Sequence, residues 1–122
     1  MINETDIEAF EYYNDMTIDI SMTEYSEFAE QTAIYPEEAQ IVYPALGLAG
    51  EAGEVANKVK KMIRDDRLDR DAIASELGDC LWYIALFCRD LNVDMASVAR
   101  KNLDKLSMRK QKGTLQGNGD AR

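Results

Sequence analysis

The apolar residues of this chain return at steps of three and four, and that rhythm restricts it to helices. Leu48, Ala52, Val55, Val59 and Met62 form one row, and Ile73, Leu77, Leu81, Ile84, Cys88 and Leu91 form a second. A third runs through Met95, Val98, Ala99, Asn102 and Leu106. Each row fits one stripe of a helix with 3.6 residues per turn, whereas a strand would alternate at every second residue. The expected fold class is therefore all-α. Two prolines among 122 residues leave long stretches uninterrupted, and the length suits one domain.

Local signals place the boundaries. Ser21 or Thr23 is a suitable N-cap for a first helix through TEYSEFAEQTAIY, ending near Pro36. A second helix starts at about Glu38 or Pro44 and runs to Arg64, where Arg64-Asp65-Asp66-Arg67 breaks the pattern. The third follows that break. Asp94 caps a fourth helix that ends near Gln111. Residues 1–20 show no clean period and are read as an N-terminal extension, residues 21–112 as the helical domain, and the Gly-rich residues 113–122 as an irregular tail.

Charge and residue absences narrow the chemistry. A net charge of −9 gives a nucleic acid polymer nothing to bind, because nonspecific phosphate-backbone affinity rests on surplus Lys and Arg. A small phosphorylated ligand remains compatible where a cation sits between it and the carboxylates. With no histidine in the sequence, Ser-His-Asp and Cys-His catalysis are excluded, along with His-ligated zinc. Cys80 and Cys88 are too far apart along one helix for a disulfide and read as free thiols. Neither a leader nor a membrane-spanning apolar run is evident, so a cytoplasmic protein with no membrane partner is expected.

Two acidic pairs stand out against this background. Glu51 and Glu54 are three apart on the second helix, and Glu76 and Asp79 repeat the offset on the third. Each pair shares a helical face and sits one residue from an apolar row, so antiparallel packing of the two helices would bring all four carboxylates to one point. Four such charges repel unless a cation joins them, and an oxygen-only set selects Mg²⁺ first and Mn²⁺ second. Gly50, Gly53 and Gly78 beside them cost helix stability, which a close approach of backbone or ligand would explain. Acidic pairs three apart are also common on solvated helix faces; it is the repetition on consecutive helices that points to a site.

An ExxE followed after some twenty residues by an ExxD resembles the MazG-like family of all-α nucleoside triphosphate pyrophosphohydrolases. Here the motif reads Glu51-Ala52-Gly53-Glu54 and Glu76-Leu77-Gly78-Asp79, and YPALGLAGEAGEVANKVKK, ELGDCLWYIA and NLDKLSMRK are similar to compact bacterial and phage members. The likeness covers roughly residues 25 to 112. Many members carry a further glutamate where this chain has Gly50, so a set of four carboxylates is expected, as in forms similar to dCTP pyrophosphatases. The resemblance implies hydrolysis of a (deoxy)nucleoside triphosphate between the α and β phosphates, with Mg²⁺ held by Glu51, Glu54, Glu76 and Asp79. It also makes Asn102 and Lys105 candidate contacts to substrate. Base and sugar preference stay open. A noncatalytic oligomerisation or adaptor module, or a hydrolase of another phosphorylated nucleotide such as an alarmone, fits the same residues.

Further substrate candidates come from position. Lys58 and Lys61 extend the acidic row of the second helix, as phosphate contacts or as solvated partners of Glu54 and Asn57. Tyr83 continues the Glu76-Asp79 row and is placed to stack on a base, whereas Trp82 reads as packing. Arg109 follows Lys105 by about one turn on the fourth helix. Tyr25, Phe28 and Tyr43 are aromatic but not singled out by spacing. The apolar stripes exceed what four helices can cover alone, so a homodimer or homotetramer is expected, its four-helix bundle completed by partner helices.

Overall fold

The computed structural model describes residues 19–122. The extension expected over residues 1–20 therefore lies, up to residue 18, outside the described residues. Among the described residues there are four α-helices, one short 3₁₀ turn and no strand, as the apolar rhythm requires. They are α1 (Met22–Glu30), the turn Glu37–Ala39, α2 (Val42–Asp65), α3 (Arg70–Asp90) and α4 (Met95–Lys112).

Side-chain caps set most of the starts. Ser21 Oγ accepts the Glu24 amide at 3.0 Å, Asp69 Oδ1 accepts that of Ala72 at 3.1 Å, and Asp94 Oδ2 accepts that of Ser97 at 3.0 Å. The first helix stops at Glu30, short of the expected end near Pro36. Thr32 accounts for this, because its hydroxyl donates to the Ala29 carbonyl at 2.8 Å and closes the helix end. The start of α2 has no side-chain cap. Ile41 stands there at φ 70°, ψ −52°, and the Val42 amide donates back to the Gln40 carbonyl at 2.7 Å, which makes a γ-turn. A β-branched residue at positive φ is strained, so something outside the turn must hold it.

The most extensive packing is between α2 and α3, while α1 lies against α3 and α4. The core of buried apolar residues is small: Ala29, Ala85, Leu86, Cys88 and Met95, with Tyr25, Tyr35, Trp82 and Ile84 packed around it. Leu77 and Leu81, expected in the buried row of α3, face outward, as does Ala52 on α2. The helices are rotated so that half-buried Glu51, Glu76 and Cys80 lie along the seam instead. On α4 Met95 is buried as expected, but the rest of the inward row is corrected, since Val98, Asn102 and Leu106 are exposed while Arg109 is buried. Cys80 and Cys88 are free thiols. Residues 113–122 form irregular turns.

Leu86 has no exposed surface, whereas Ile34 is 95% exposed. Leu86→Ala should lower unfolding free energy by about 3 kcal/mol in denaturant titration, and Ile34→Ala should change it by less than about 0.5 kcal/mol. Equal effects would contradict this placement of the core.

Candidate metal centre

Antiparallel pairing of α2 and α3 builds the site. Tyr43, Gly47, Glu51 and Lys58 follow one another along one face of α2 at steps of four and seven. Opposite them, in reverse order, stand Tyr83, Asp79 and Glu76 on α3. Tyr83 lies so close to Gly47 that a β-carbon there would overlap its ring. Gly47 is thus the glycine that a close approach requires, whereas around Gly50, Gly53 and Gly78 an added β-carbon would meet nothing within 4 Å.

One carboxylate oxygen from each of Glu51, Glu76 and Asp79 lies within 4.8 Å of the others. An ion shared by the three would sit about 2–2.5 Å from each oxygen, and that span fits a hard cation with oxygen ligands. Glu54 stands one turn on, outside this tight group but near enough for its charge to act on Glu51. Partial removal from water, then the negative charges of Asp79, Glu76 and Glu54, push the Glu51 proton affinity above its ordinary value. Lys58 crosses from α2 to reach Glu76 at 3.7 Å, offsetting part of the crowding. That cross-helix pair replaces the partnership with Glu54 considered from spacing alone. Lys61, a turn beyond, borders an open groove with Lys58, Met62, Asp65 and Arg67.

Tyr83 is half-buried beside the cluster. Burial first, then Tyr43, Glu51 and Asp79, raise its hydroxyl pKa. Trp82 packs edge-on against Tyr83 with ring centres 4.9 Å apart, and its Nε1 donates to Thr32 Oγ1 at 2.7 Å, in keeping with a packing role. The α4 candidates are held elsewhere. Lys105 Nζ is 3.5 Å from Asp120 Oδ1, and Arg109 Nη2 is 3.3 Å from the same oxygen and donates to the Asp120 carbonyl at 2.8 Å. Asn102 is exposed. Asp120 therefore joins Lys105 and Arg109 in a cluster that helical spacing does not reveal, because its residues meet only when the tail folds back.

The fold and the cluster together define an all-helical protein with histidine-free carboxylates gathered between paired antiparallel helices. The MazG nucleotide pyrophosphohydrolase domain matches residues 44–114, from the first turn of α2 through α4. The chain belongs to that family, and nucleotide pyrophosphohydrolysis is the general activity it shares. It is 43% identical over 109 residues to the Gene 37 protein of Mycobacterium phage L5, covering 80% of this chain and 96% of that protein. No solved structure matches it.

A carboxyl group with higher proton affinity folded than unfolded favours folding while protonated. Its contribution is full below the ordinary value of 4.5 and is lost as pH rises through the elevated one. Without divalent ions, Glu51→Gln should therefore melt above the parent protein at pH 7, and the two melting curves should converge as pH falls toward 4.5. A substitution that lowers the melting temperature at pH 7 would refute the crowding described here.

Proposed function

We propose that this protein hydrolyses a (deoxy)nucleoside triphosphate between the α and β phosphates, releasing the nucleoside monophosphate and pyrophosphate. The observation that carries this reading is the gathering of Glu51, Glu76 and Asp79 within 4.8 Å on paired helices of a family member. Mg²⁺, with Mn²⁺ as a substitute, is the ion proposed for this oxygen-only set, and when bound it supplies positive charge to the phosphates and acidifies nearby water. Glu51, Glu76 and Asp79 hold the ion. Glu54, outside the tight group, is the carboxylate free to orient the water whose oxygen bonds to the α-phosphorus as the bond to the bridging oxygen breaks. Lys58 and Lys61 meet the outer phosphates, and Tyr83 meets the base. Asn102 and the Lys105–Arg109 pair, which already grips one carboxylate, complete the proposed substrate contacts.

The working unit is proposed to be a homodimer or homotetramer. Along α2, Val42, Leu46, Ala49, Gly53, Ala56 and Ile63 form an exposed row at steps of four, three and seven. Leu46 is 70% and Ile63 75% exposed. An apolar stripe of this length on a 24-residue helix suits a second copy in a helical bundle, whereas water would cover it at a cost. No helix among the described residues is long and apolar enough to cross a membrane. Free thiols at Cys80 and Cys88 suit the cytoplasm, where the protein is proposed to act.

Incubation with each common NTP and dNTP plus Mg²⁺ should release pyrophosphate rather than orthophosphate. Glu51→Gln, Glu76→Gln and Asp79→Asn should each lose about 10²-fold or more in rate and also lose the Mg²⁺-induced rise in melting temperature. Glu54→Gln should lose rate but keep that rise. No pyrophosphate and no Mg²⁺ effect would leave the noncatalytic adaptor. In sedimentation, the parent protein should run as a dimer or larger, and Leu46→Glu with Ile63→Glu should give an inactive monomer; a fully active monomer would defeat the oligomeric site.

A further inference from the structure

The strained turn before α2 is held by a residue far along the sequence. Asp90, the last residue of α3, has a side chain wholly removed from solvent. Its Oδ2 accepts the Ile41 amide at 2.9 Å and the Tyr35 hydroxyl at 2.8 Å, while its Oδ1 accepts Arg89 Nε at 3.1 Å and Nη2 at 3.0 Å. Arg89 also donates to the Tyr35 oxygen at 2.7 Å and lies 5.3 Å over the Tyr35 ring. A buried carboxylate at a helix C-terminus meets two penalties, desolvation and the negative end of the helix dipole. Four hydrogen bonds offset them, and two of these fix groups outside α3.

Those two groups lead to the site. Tyr35 stacks on Tyr43 with ring centres 4.5 Å apart and planes 17° from parallel. Tyr43 lies in the first turn of α2, directly after the γ-turn, so the direction in which Ile41 launches the helix also sets this ring. Tyr43 meets Tyr83 at 6.3 Å, and Tyr83 covers Gly47, one turn from Glu51 on α2 and itself one turn from Asp79 on α3. The three tyrosines form a continuous row whose one end is anchored at Asp90 and whose other end borders the carboxylates. Backbone strain at Ile41 persists because Asp90 and the γ-turn hydrogen bond over-determine it.

We propose that Asp90 is a positioning residue for nucleotide binding, holding the Ile41 turn and Tyr35 so that the Tyr35–Tyr43–Tyr83 row keeps its place beside Glu51 and Asp79. It rests on the reading above in which Tyr83 meets the nucleotide. Asp90 touches neither the carboxylate cluster nor substrate; it acts through the tyrosines, so its loss weakens binding and leaves the reacting groups in place.

The test uses Asp90→Asn and Tyr35→Phe in the full chain, with dATP, dCTP, dGTP, dTTP and dUTP as probes in Mg²⁺. Trp82, the sole tryptophan, sits edge-on to Tyr83, so its fluorescence reads nucleotide binding without turnover. For the best substrate, both variants should raise KM by about tenfold with kcat within about twofold, and shift the Trp82 titration midpoint to the same extent. If Asp90→Asn fails to fold, Tyr35→Phe decides. KM and midpoint within twofold of the parent, whatever the melting temperature, would reduce the network to a structural clamp and overturn the proposal; so would a fall in kcat at constant KM. A parent protein that releases no pyrophosphate, yet whose Trp82 responds to a nucleotide, would remove the hydrolase reading and leave this one to be judged on the midpoints. Silence of both signals in the parent overturns both.

Discussion

Antiparallel packing of α2 against α3 forces like charges into a few ångströms, and the rest of the site either answers that repulsion or borders it. Glu51 carries its cost most visibly, with partial removal from water first and then Asp79, Glu76 and Glu54 all raising its hold on a proton. Lys58 gives one local answer by crossing to Glu76. The pairing needs no strong capping of α2, since contact with α3 along nearly the whole helix holds it in place. Gly47 shows how close that contact is, with the Tyr83 ring resting where a side chain would otherwise project.

Polar burial elsewhere in the molecule serves the same arrangement. Asp90 stays ionised although burial opposes its charge, because the Ile41 amide, the Tyr35 hydroxyl and Arg89 all favour the carboxylate. Burial first and then Asp90 lift the Tyr35 hydroxyl to about 12 against the lowering pull of Arg89, so it remains a donor at any ordinary pH. The Asp90 network thus joins the end of α3 to the start of α2, and the seam between them is tied at both ends: by Asp90 with Ile41 at one, and by the short Asp66–Asp69 connection at the other. In the C-terminal tail, the carboxylate of Asp120 is held by Lys105 and Arg109, so cations free in the sequence are paired in the folded chain.

Much of the architecture was legible in the residues. The apolar steps gave three of the four helices and an N-cap with a following proline gave the first, and the caps at Ser21 and Asp94 lie where short polar side chains precede the helices. The ExxE and ExxD spacing identified the acidic residues because an offset of three always shares a helical face. Rotation of each helix was less legible. A row that includes Leu77 and Leu81 reads as buried from hydrophobicity alone, yet packing turned Glu76 and Cys80 inward instead. The γ-turn at Ile41 left no trace in the sequence, since neither glycine nor asparagine marks a positive φ there.

Sequence by itself determined that the chain is helical, where its main breaks fall, and that its acidic residues come in two matched pairs, because these are properties of local spacing and side-chain type. Only the tertiary structure decided which carboxylates draw into one tight group, which lysine answers them, and that Asp90 and Asp120 find their partners across gaps in the chain. Those outcomes depend on how far each helix rotates about its axis and where loops return, and both are set by the packing of whole elements rather than by any residue's neighbours in sequence.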